Sequence, residues 1–269
     1  MITGLLFVAL IATLYVLSTM CREGHPGLQG LRGWVYAHRG LHGAGVPENS
    51  ILGFQKALEA GYGIELDVHL MSDGSLAVIH DSSLLRTVGL DACIEDQTAE
   101  SLSSFLLEGT QERIPLLNEV LSLFQGKAPM IIELKCVRNN YAELCRAVCD
   151  LLDSYNGVYC LESFDPRCIY WLRRNRPDLI RGQLTENYFR SKSPKIPSLL
   201  KFLLANQMLN FLLRPDFIAY RFSDRKCLSN LLTERFWNAQ SVTWTLKTKE
   251  ELDTAIKENR IPIFEGFCP

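Results

Sequence analysis

The sequence has no excess of either charge, no internal repeat, no low-complexity tract and no paired cysteine pattern. Its formal net charge is −2, from 28 basic and 30 acidic side chains. A chain this close to neutrality gives no reason to expect a nucleic-acid partner. The nine cysteines are an odd number and are scattered, which argues against a disulfide framework and favours reduced thiols in a domain that faces the cytosol.

Charge is also absent from the first part of the chain, since no charged residue and no proline occurs between Ile2 and Met20. A helix over this run would reach about 28 Å, close to the hydrocarbon core of a bilayer. Arg22 and Arg32 follow the run and no basic residue precedes it, which favours an uncleaved single-pass anchor with the remainder in the cytoplasm. The predicted organisation is a transmembrane anchor over residues 1–21, a linker over 22–33 and a folded domain over 34–269.

Beyond residue 34, apolar runs typical of strands alternate with amphipathic segments typical of helices. Strands are predicted at residues 34–37, 63–70, 130–133, 158–162, 179–184, 217–222, 242–246 and 261–264, and helices at 51–60, 115–124, 141–152, 166–175, 226–237 and 249–258. Eight strand–helix units over about 235 residues are typical of a (β/α)8 TIM barrel of the α/β class. A doubly wound sheet is the alternative.

Residues 63–81 predict a β-hairpin that leaves the barrel after its second strand. Asp73 and Gly74 form a strong turn signal between two alternating runs. An antiparallel register that pairs Leu70 with Leu76 brings His80 back towards the first strand of the hairpin. Residues 76–127 are therefore interpreted as an excursion between two barrel strands.

Glu65 and Asp67 lie two residues apart in this hairpin, so their side chains share one face of the strand. Together with His80, they indicate a metal site or an acid/base site. Acids that alternate with apolar residues are equally typical of the solvated face of a half-buried strand. The hairpin alone does not separate these two interpretations.

The barrel prediction favours the functional interpretation, because active residues of such barrels lie at the carboxyl ends of the strands. The polar residues at these ends are His38, Arg39, Glu65, Asp67, Glu133, Lys135, Glu162, Gln183 and Trp244. Three of them, Glu65, Asp67 and Glu133, offer hard oxygen ligands that suit Mg²⁺ or Ca²⁺.

Two cations and two imidazoles complete the predicted site. Arg39 and Lys135 flank the acids, so a pocket for a doubly substituted phosphate is expected. His38 and His80 supply a base for the nucleophile and an acid for the departing alkoxide. This combination predicts hydrolysis of a phosphodiester.

At this point the sequence resembles the glycerophosphodiester phosphodiesterase family. The matching motifs, in the family's order and spacing, are His38-Arg39-Gly40, Pro47-Glu48-Asn49-Ser50, Glu65-Leu66-Asp67-Val68, Asp73-Gly74, His80-Asp81, Ile132-Glu133-Leu134-Lys135, Ser163-Phe164-Asp165 and Val242-Thr243-Trp244-Thr245. The resemblance implies a barrel that hydrolyses glycerophosphodiesters to glycerol 3-phosphate and an alcohol with a divalent metal, Mg²⁺ or Ca²⁺.

The resemblance also implies a role for each matched residue. His38 and His80 correspond to the acid/base pair, and Glu65, Asp67 and Glu133 to the metal ligands. Arg39 and Lys135 correspond to the phosphate contacts, and Trp244 lines the glycerol side. The spacing equally permits His80 to be a metal ligand.

A last unusual stretch covers residues 191–215. Between Glu186 and Asp216 there are five basic residues and no acid, among many leucines and phenylalanines. We expect an insertion that rests on a membrane beside the anchor, and an ordinary barrel helix is the alternative. A membrane partner makes lysophospholipid substrates plausible, so the alternative functions are a lysophospholipase D and a catalytically silent barrel that binds phospholipid.

Overall fold

Eight parallel strands close into a barrel at the centre of the structure, a computed structural model that describes residues 2–190 and 196–269. The strands, with a ninth (β3) outside the barrel, are β1 Tyr36–His38, β2 Gly63–Leu70, β3 Leu76–Val78, β4 Met130–Leu134, β5 Tyr159–Ser163, β6 Arg181–Thr185, β7 Phe217–Arg221, β8 Gln240–Leu246 and β9 Ile261–Phe264. Strand β1 pairs with both β2 and β9, which closes the sheet. The predicted TIM barrel is therefore confirmed.

The described part of the chain contains helices that mostly cover the outside of this barrel, although the first of them has no buried residue. They are α1 Ile2–Ser18, α2 Leu28–Leu31, α3 Ile51–Glu59, α4 Ala99–Leu102, α5 Leu117–Phe124, α6 Tyr141–Leu152, α7 Pro166–Asn175, α8 Ser198–Ala205, α9 Asn210–Leu213, α10 Leu228–Trp237 and α11 Lys249–Lys257. Local capping explains several starts. The Ser50 hydroxyl accepts the N–H of Gly53 at α3, and Asp165 caps α7 with Pro166 in its first turn.

Successive side chains of each strand point alternately into and out of the barrel, which gives the structure two separate cores. Outward-facing side chains such as Leu66 pack under the helices, and inward-facing side chains fill the barrel. The inner set comprises Tyr36, Ile131, Cys160, Phe217, Ala219, Val242, Ile261 and Ile263. Leu28 and Leu31 of α2 close the base of this inner core. Residues 22–33, predicted as a linker, thus contain a helix packed against the barrel.

The hairpin has the predicted register, since β3 runs antiparallel to β2 and Leu70 lies opposite Leu76. The chain that follows β3 forms an excursion with a small core of its own, made of Met71, Ala77, Ile79, Leu84, Ile94, Leu102, Leu107 and Ile114. His80 lies at the start of this excursion. Its position therefore depends on how the excursion packs against β2.

The transmembrane prediction is wrong. Helix α1 has 17 residues, which correspond to about 25 Å, short of the hydrocarbon thickness of about 30 Å. Among the described residues, no helix is both long enough and apolar enough to cross a membrane. The helix ends at Ser18 because the chain turns there. Thr19 is fully buried, and the Trp237 indole donates to the carbonyl of Val16 at 3.2 Å. The anchor over residues 1–21 and the single-pass localisation inferred from it are corrected accordingly.

The apolar stretch over residues 191–215 lies only partly within the structure, because residues 191–195 are outside the described residues. The remainder forms α8 and α9, which lie between β6 and β7 in the chain. Leu204 and Leu213 are buried against neighbouring elements. The described part therefore belongs to the outer helix layer, and its contact with a membrane stays a prediction.

Gly182 provides a test of the packing inside the barrel. A Cβ at this position would lie 2.0 Å from Cε2 of Phe217, its neighbour on β7. We expect Gly182→Ala to lower the free energy of unfolding by about 1–3 kcal/mol, because an overfilled core forces side chains off their rotamers. Urea unfolding followed by circular dichroism measures the change.

Two variants serve as controls for this prediction. Gly43→Ala meets no heavy atom within 4 Å, so its stability should stay within about 0.5 kcal/mol of wild type. The double variant Gly182→Ala/Phe217→Leu should regain part of the loss, since the two side chains share one space. Equal stability of Gly182→Ala and wild type would contradict the tight contact.

Candidate active site

Three carboxylates meet at the carboxyl end of the barrel. Glu65 and Asp67 project from β2, and Glu133 projects from β4 at the position that pairs with Asp67. One oxygen from each lies within 4.8 Å of the other two, and all three residues are buried. The Lys135 ammonium lies 2.8 Å from both Asp67 Oδ1 and Glu133 Oε1.

This cluster has more negative charge than its neighbours neutralise. Burial raises the pKa of Glu65 well above its ordinary value, and the charges of Asp67 and Glu133 raise it further. Burial also raises the pKa of Glu133. Burial opposes ionisation of Asp67, yet the charges of Lys135 and other nearby groups hold its pKa well below the usual range. A divalent cation would supply the missing positive charge, and the all-oxygen donor set fits Mg²⁺ or Ca²⁺.

Arg39 is built into the same cluster by its backbone and its side chain. Its backbone has φ of 54°, and its N–H donates to Glu65 Oε2 at 3.2 Å. The guanidinium lies 3.1 Å from Glu48 Oε1 and 3.4 Å from Asp67 Oδ2. Asn49 Nδ2 donates to the same Asp67 oxygen at 2.9 Å. The Glu48-Asn49 motif therefore fixes the loop that carries Arg39.

His38 lies at the end of β1, beside Glu65 in the sheet register. Its Nδ1 donates to Glu265 Oε2 at 3.1 Å, and its Nε2 lies 3.8 Å from Glu65 Oε2. The bond from His38 lowers the pKa of Glu265, so this carboxylate is an acceptor and the proton belongs on Nδ1. Burial lowers the pKa of His38. The ring is thus neutral, with its Nε2 lone pair towards the acids.

Glu265 was missed in the sequence analysis, although a signal was present. It directly follows Ile261–Phe264, the last barrel strand. The rule that selected the other candidates, position at the carboxyl end of a strand, applies to it equally. Its second neighbour, Lys247, follows β8 and also contacts the Glu265 carboxylate.

His80 has a similar arrangement on the other side of the site. Its Nδ1 lies 2.7 Å from Asp81 Oδ1, and Arg86 binds the second oxygen of Asp81 at 2.5 Å. Burial opposes ionisation of Asp81, but the bonds from Arg86 and His80 lower its pKa. Burial lowers the pKa of His80 to about 4. His80 is therefore a neutral imidazole near neutral pH, with Nδ1 protonated and Nε2 as the basic nitrogen.

A buried pair of side chains, His69 and Glu95, holds the backbone of His80. The His69 ring contacts the carbonyl oxygen of His80 through Nε2 at 3.1 Å and Glu95 Oε1 through Nδ1 at 2.6 Å. Two opposing effects act on the pKa of Glu95. Burial raises it, and the bonds from His69 and Ser82 lower it, so that it lies below its ordinary value. His69 lies on the same strand face as Glu65 and Asp67, so the sequence did contain a signal for it. Glu95 lies in the irregular excursion, where no pattern in the sequence indicates a functional residue.

The site encloses a small cavity of about 140 Å³. His38, Arg39, Glu65, His80 and Glu133 line it together with Glu162, Phe164, Leu184, Trp244, Thr245 and Ile263. Trp244 stacks edge-on against Phe164 with ring centroids 5.7 Å apart. Glu162 is fully buried, and neither of its oxygens has a hydrogen-bond partner among the described residues. Burial raises the pKa of Glu162 well above its ordinary value.

A larger cavity of about 600 Å³ opens beside the first one and shares His80, Glu133 and Phe164 with it. Leu134, Val137 and Tyr188 give it a largely apolar wall, and Lys135 also lines it. All predicted site residues therefore line one or both of these neighbouring cavities, except Asp67, which contacts Lys135 beneath them. The structure brings the predicted site together at one end of the barrel.

Comparison with known proteins finds several relatives of this chain. A glycerophosphodiester phosphodiesterase of Bacillus altitudinis is 41% identical over 114 residues, which cover 40% of this chain and 46% of that protein. Human lysophospholipase D is 35% identical over 133 residues, 45% of this chain and 41% of that protein. These matches span less than half the length of the two curated relatives.

Solved structures give matches over most of the chain. The glycerophosphodiester phosphodiesterase of Thermotoga maritima superposes with a TM-score of 0.66 at 26% identity, covering 86% of this chain and 93% of that one. An Oleispira antarctica phosphodiesterase, solved with the product sn-glycerol-3-phosphate, has a TM-score of 0.72 at 20% identity and covers 88% and 94%. The model of the glycerophosphoryl diester phosphodiesterase family matches residues 38–261. The chain therefore belongs to the glycerophosphoryl diester phosphodiesterase family.

Proposed function

We propose that this protein hydrolyses glycerophosphodiesters to glycerol 3-phosphate and an alcohol. The observation that carries the proposal is one cavity lined by two carboxylate-backed imidazoles and by two acids of the buried cluster. Family membership supports the reaction class. The product complex of the Oleispira antarctica protein supports glycerol 3-phosphate as the product.

In this proposal Glu65, Asp67 and Glu133 hold the divalent metal, Mg²⁺ or Ca²⁺. When bound, the ion supplies positive charge against the phosphoryl oxygens as they gain negative charge in the transition state. Lys135 and Arg39 add to that charge from two sides, because their cationic groups contact the same acids. Protein dipoles and charges fixed in this way need no rearrangement during the reaction.

The two imidazoles act as the acid/base pair. Glu265 and Asp81 accept the Nδ1 protons of His38 and His80, so each ring presents Nε2 as its basic atom. One ring takes a proton at Nε2 from the attacking water. The other ring, once it has taken a proton at Nε2 from solvent, gives that proton to the departing alkoxide, which leaves poorly without it. Trp244 packs beside Phe164 on the cavity wall and lines the glycerol side.

A second candidate, hydrolysis of lysophospholipids at the same bond, is favoured by the larger cavity. Its volume of about 600 Å³ and its wall of Leu134, Val137, Phe164 and Tyr188 suit an apolar group attached to the phosphodiester. The similarity to human lysophospholipase D agrees with this interpretation. A catalytically silent barrel is disfavoured, because both imidazoles and all three acids are present in one site.

One prediction concerns the metal. Glu65→Gln should release the divalent ion and reduce kcat/KM for glycerophosphocholine by at least about a hundredfold, because it removes one of three charged ligands. Metal content by mass spectrometry and a choline-release assay with added Mg²⁺ or Ca²⁺ measure both effects. Wild-type turnover by this variant, or full activity of wild type in excess chelator, would contradict metal dependence.

His80→Ala is the matched comparison, because it separates the two roles considered for His80. An acid/base role predicts loss of activity by about 10²–10⁴ with the metal content unchanged. A ligand role predicts that the metal is lost together with the activity. Retention of the metal therefore favours the acid/base assignment.

Another prediction concerns Glu265, which binds His38 Nδ1. Glu265→Gln should lower kcat about 10–100-fold with little change in KM, because the ring loses the charge that fixes its tautomer and orientation. Glu258→Gln is the control, since Glu258 pairs with Arg225 and Arg260 away from the site. The control should stay within about twofold of wild type. Equal kcat for both variants would remove Glu265 from the mechanism.

The two substrate classes are distinguished by a change in the wall of the larger cavity. Val137→Trp should fill part of that cavity, while the smaller cavity is lined by other residues. If lysophospholipids use the larger cavity, this variant should hydrolyse lysophosphatidylcholine at least about tenfold more slowly than wild type, with glycerophosphocholine hydrolysis within about threefold. A parallel loss on both substrates would argue that the larger cavity does not select the substrate.

A further inference from the structure

A second charged cavity lies at the opposite end of the barrel from the site described above. Its volume is about 470 Å³, and its lining includes four arginines, Arg22, Arg173, Arg181 and Arg214, with Cys21, Glu23, Pro177 and Trp237. Arg181 is the first residue of β6, and the candidate active site lies at the other ends of the strands. We name this space the base cavity.

Arg181 is the most constrained of these arginines. It is 2% exposed, and its Nη1 has no hydrogen-bond partner among the described residues. Its Nε reaches only the carbonyl of Leu213, at 3.4 Å. Burying a guanidinium with an unmet donor is costly. This donor therefore lacks an acceptor within the described part of the chain.

The nearby carboxylate does not provide that acceptor. Asp216 binds Arg22 through both oxygens at 2.5 Å, and its Oδ2 also accepts the backbone N–H of Arg181 at 2.9 Å. Glu23 is exposed at the rim, and no ion pair joins it to an arginine within the described part of the chain. Burial and the charge of Arg22 lower the pKa of Arg181 to about 10. The cavity thus has an excess of positive charge.

The other two arginines are held by backbone carbonyls and not by acids. Arg173 uses Nη1 to bind the carbonyls of Phe211, at 3.1 Å, and Leu212. Arg214, at the end of α9, uses Nε to reach the Phe211 carbonyl at 3.4 Å. These bonds orient both side chains and leave their guanidinium charges without an ion pair among the described residues. Three of the four lining arginines therefore lack a carboxylate partner.

We propose that the base cavity binds a phosphate monoester or inorganic phosphate, at a site separate from the catalytic one. The planar guanidinium fork matches phosphate oxygens, and a dianion balances more of this charge than a single carboxylate does. A volume of about 470 Å³ is within the range of small-molecule sites. The phosphate group could belong to a soluble ester or to a lipid headgroup, and the experiment distinguishes these sources.

Titration of the full-length, metal-loaded protein with inorganic phosphate, followed by calorimetry, tests the proposal. Arg181→Met and Arg173→Gln should weaken one phosphate-binding event at least about tenfold, which corresponds to about 1.4 kcal/mol. Both variants should keep wild-type hydrolysis of glycerophosphocholine, because they lie at the other end of the barrel. Arg39→Gln is the matched control, since it changes phosphate binding at the catalytic end only.

Two base-cavity variants are used so that the test still gives a result if one of them does not fold. Arg181 is buried, whereas Arg173 is half-buried and bound only to carbonyls, so Arg173→Gln should fold if Arg181→Met does not. Phosphate binding by both variants that equals wild type, or binding that Arg39→Gln alone abolishes, would overturn the proposal.

Vesicles identify the source of the phosphate group. A lipid source predicts binding to phosphatidylcholine vesicles that contain phosphatidic acid, with binding reduced at least about tenfold in Arg181→Met and Arg173→Gln. A soluble source predicts that the same two variants weaken inorganic phosphate binding while wild type ignores the vesicles. Wild-type protein that binds neither inorganic phosphate nor these vesicles at the base cavity would refute the site.

Discussion

The repulsion among three buried carboxylates is the constraint on which the rest of the site depends. Glu65, Asp67 and Glu133 are held together by strand register and not by mutual attraction, since adjacent positions of β2 and β4 force their oxygens into one volume. A closed sheet tolerates this repulsion, because its core and its backbone hydrogen bonds hold the strands in place whatever side chains lie at their carboxyl ends. Lys135 and Arg39 offset only part of this negative charge, so the cluster could bind a cation.

The two imidazoles enter the site from different parts of the fold. His38 is placed by the barrel itself, at the end of β1, and is oriented by Glu265 after β9. His80 lies outside the barrel and depends on the excursion that follows β3. The buried pair of His69 and Glu95 ties that excursion to β2 and fixes the carbonyl of His80. Breaking this pair would move an imidazole without altering any strand.

The fold was largely predictable because its local signals agree with the tertiary structure. Tyr141–Leu152 and Pro166–Asn175 have the predicted bounds, and Asp165 explains why the second helix starts where it does. Hydropathy could not reveal that α1 ends at Ser18, because that end depends on the packing of Thr19 against Trp237, more than two hundred residues away. Long-range contacts of this kind leave no local pattern.

The site was predictable to a different extent. Residues at strand ends follow from the barrel rule, so the positions of the acids and of His38 could be inferred from the sequence alone. Glu265 obeys the same rule and was overlooked, whereas Glu95 obeys none, because it comes from an irregular segment. Arg181 and its neighbours were also missed, since they are separated in sequence and converge only when α9 and the loop before β6 pack together. The near-neutral total charge thus gives no sign of an acidic cluster at one end of the barrel and an arginine cluster at the other. The two clusters are far apart because one lies at the carboxyl ends of the strands and the other at their amino ends.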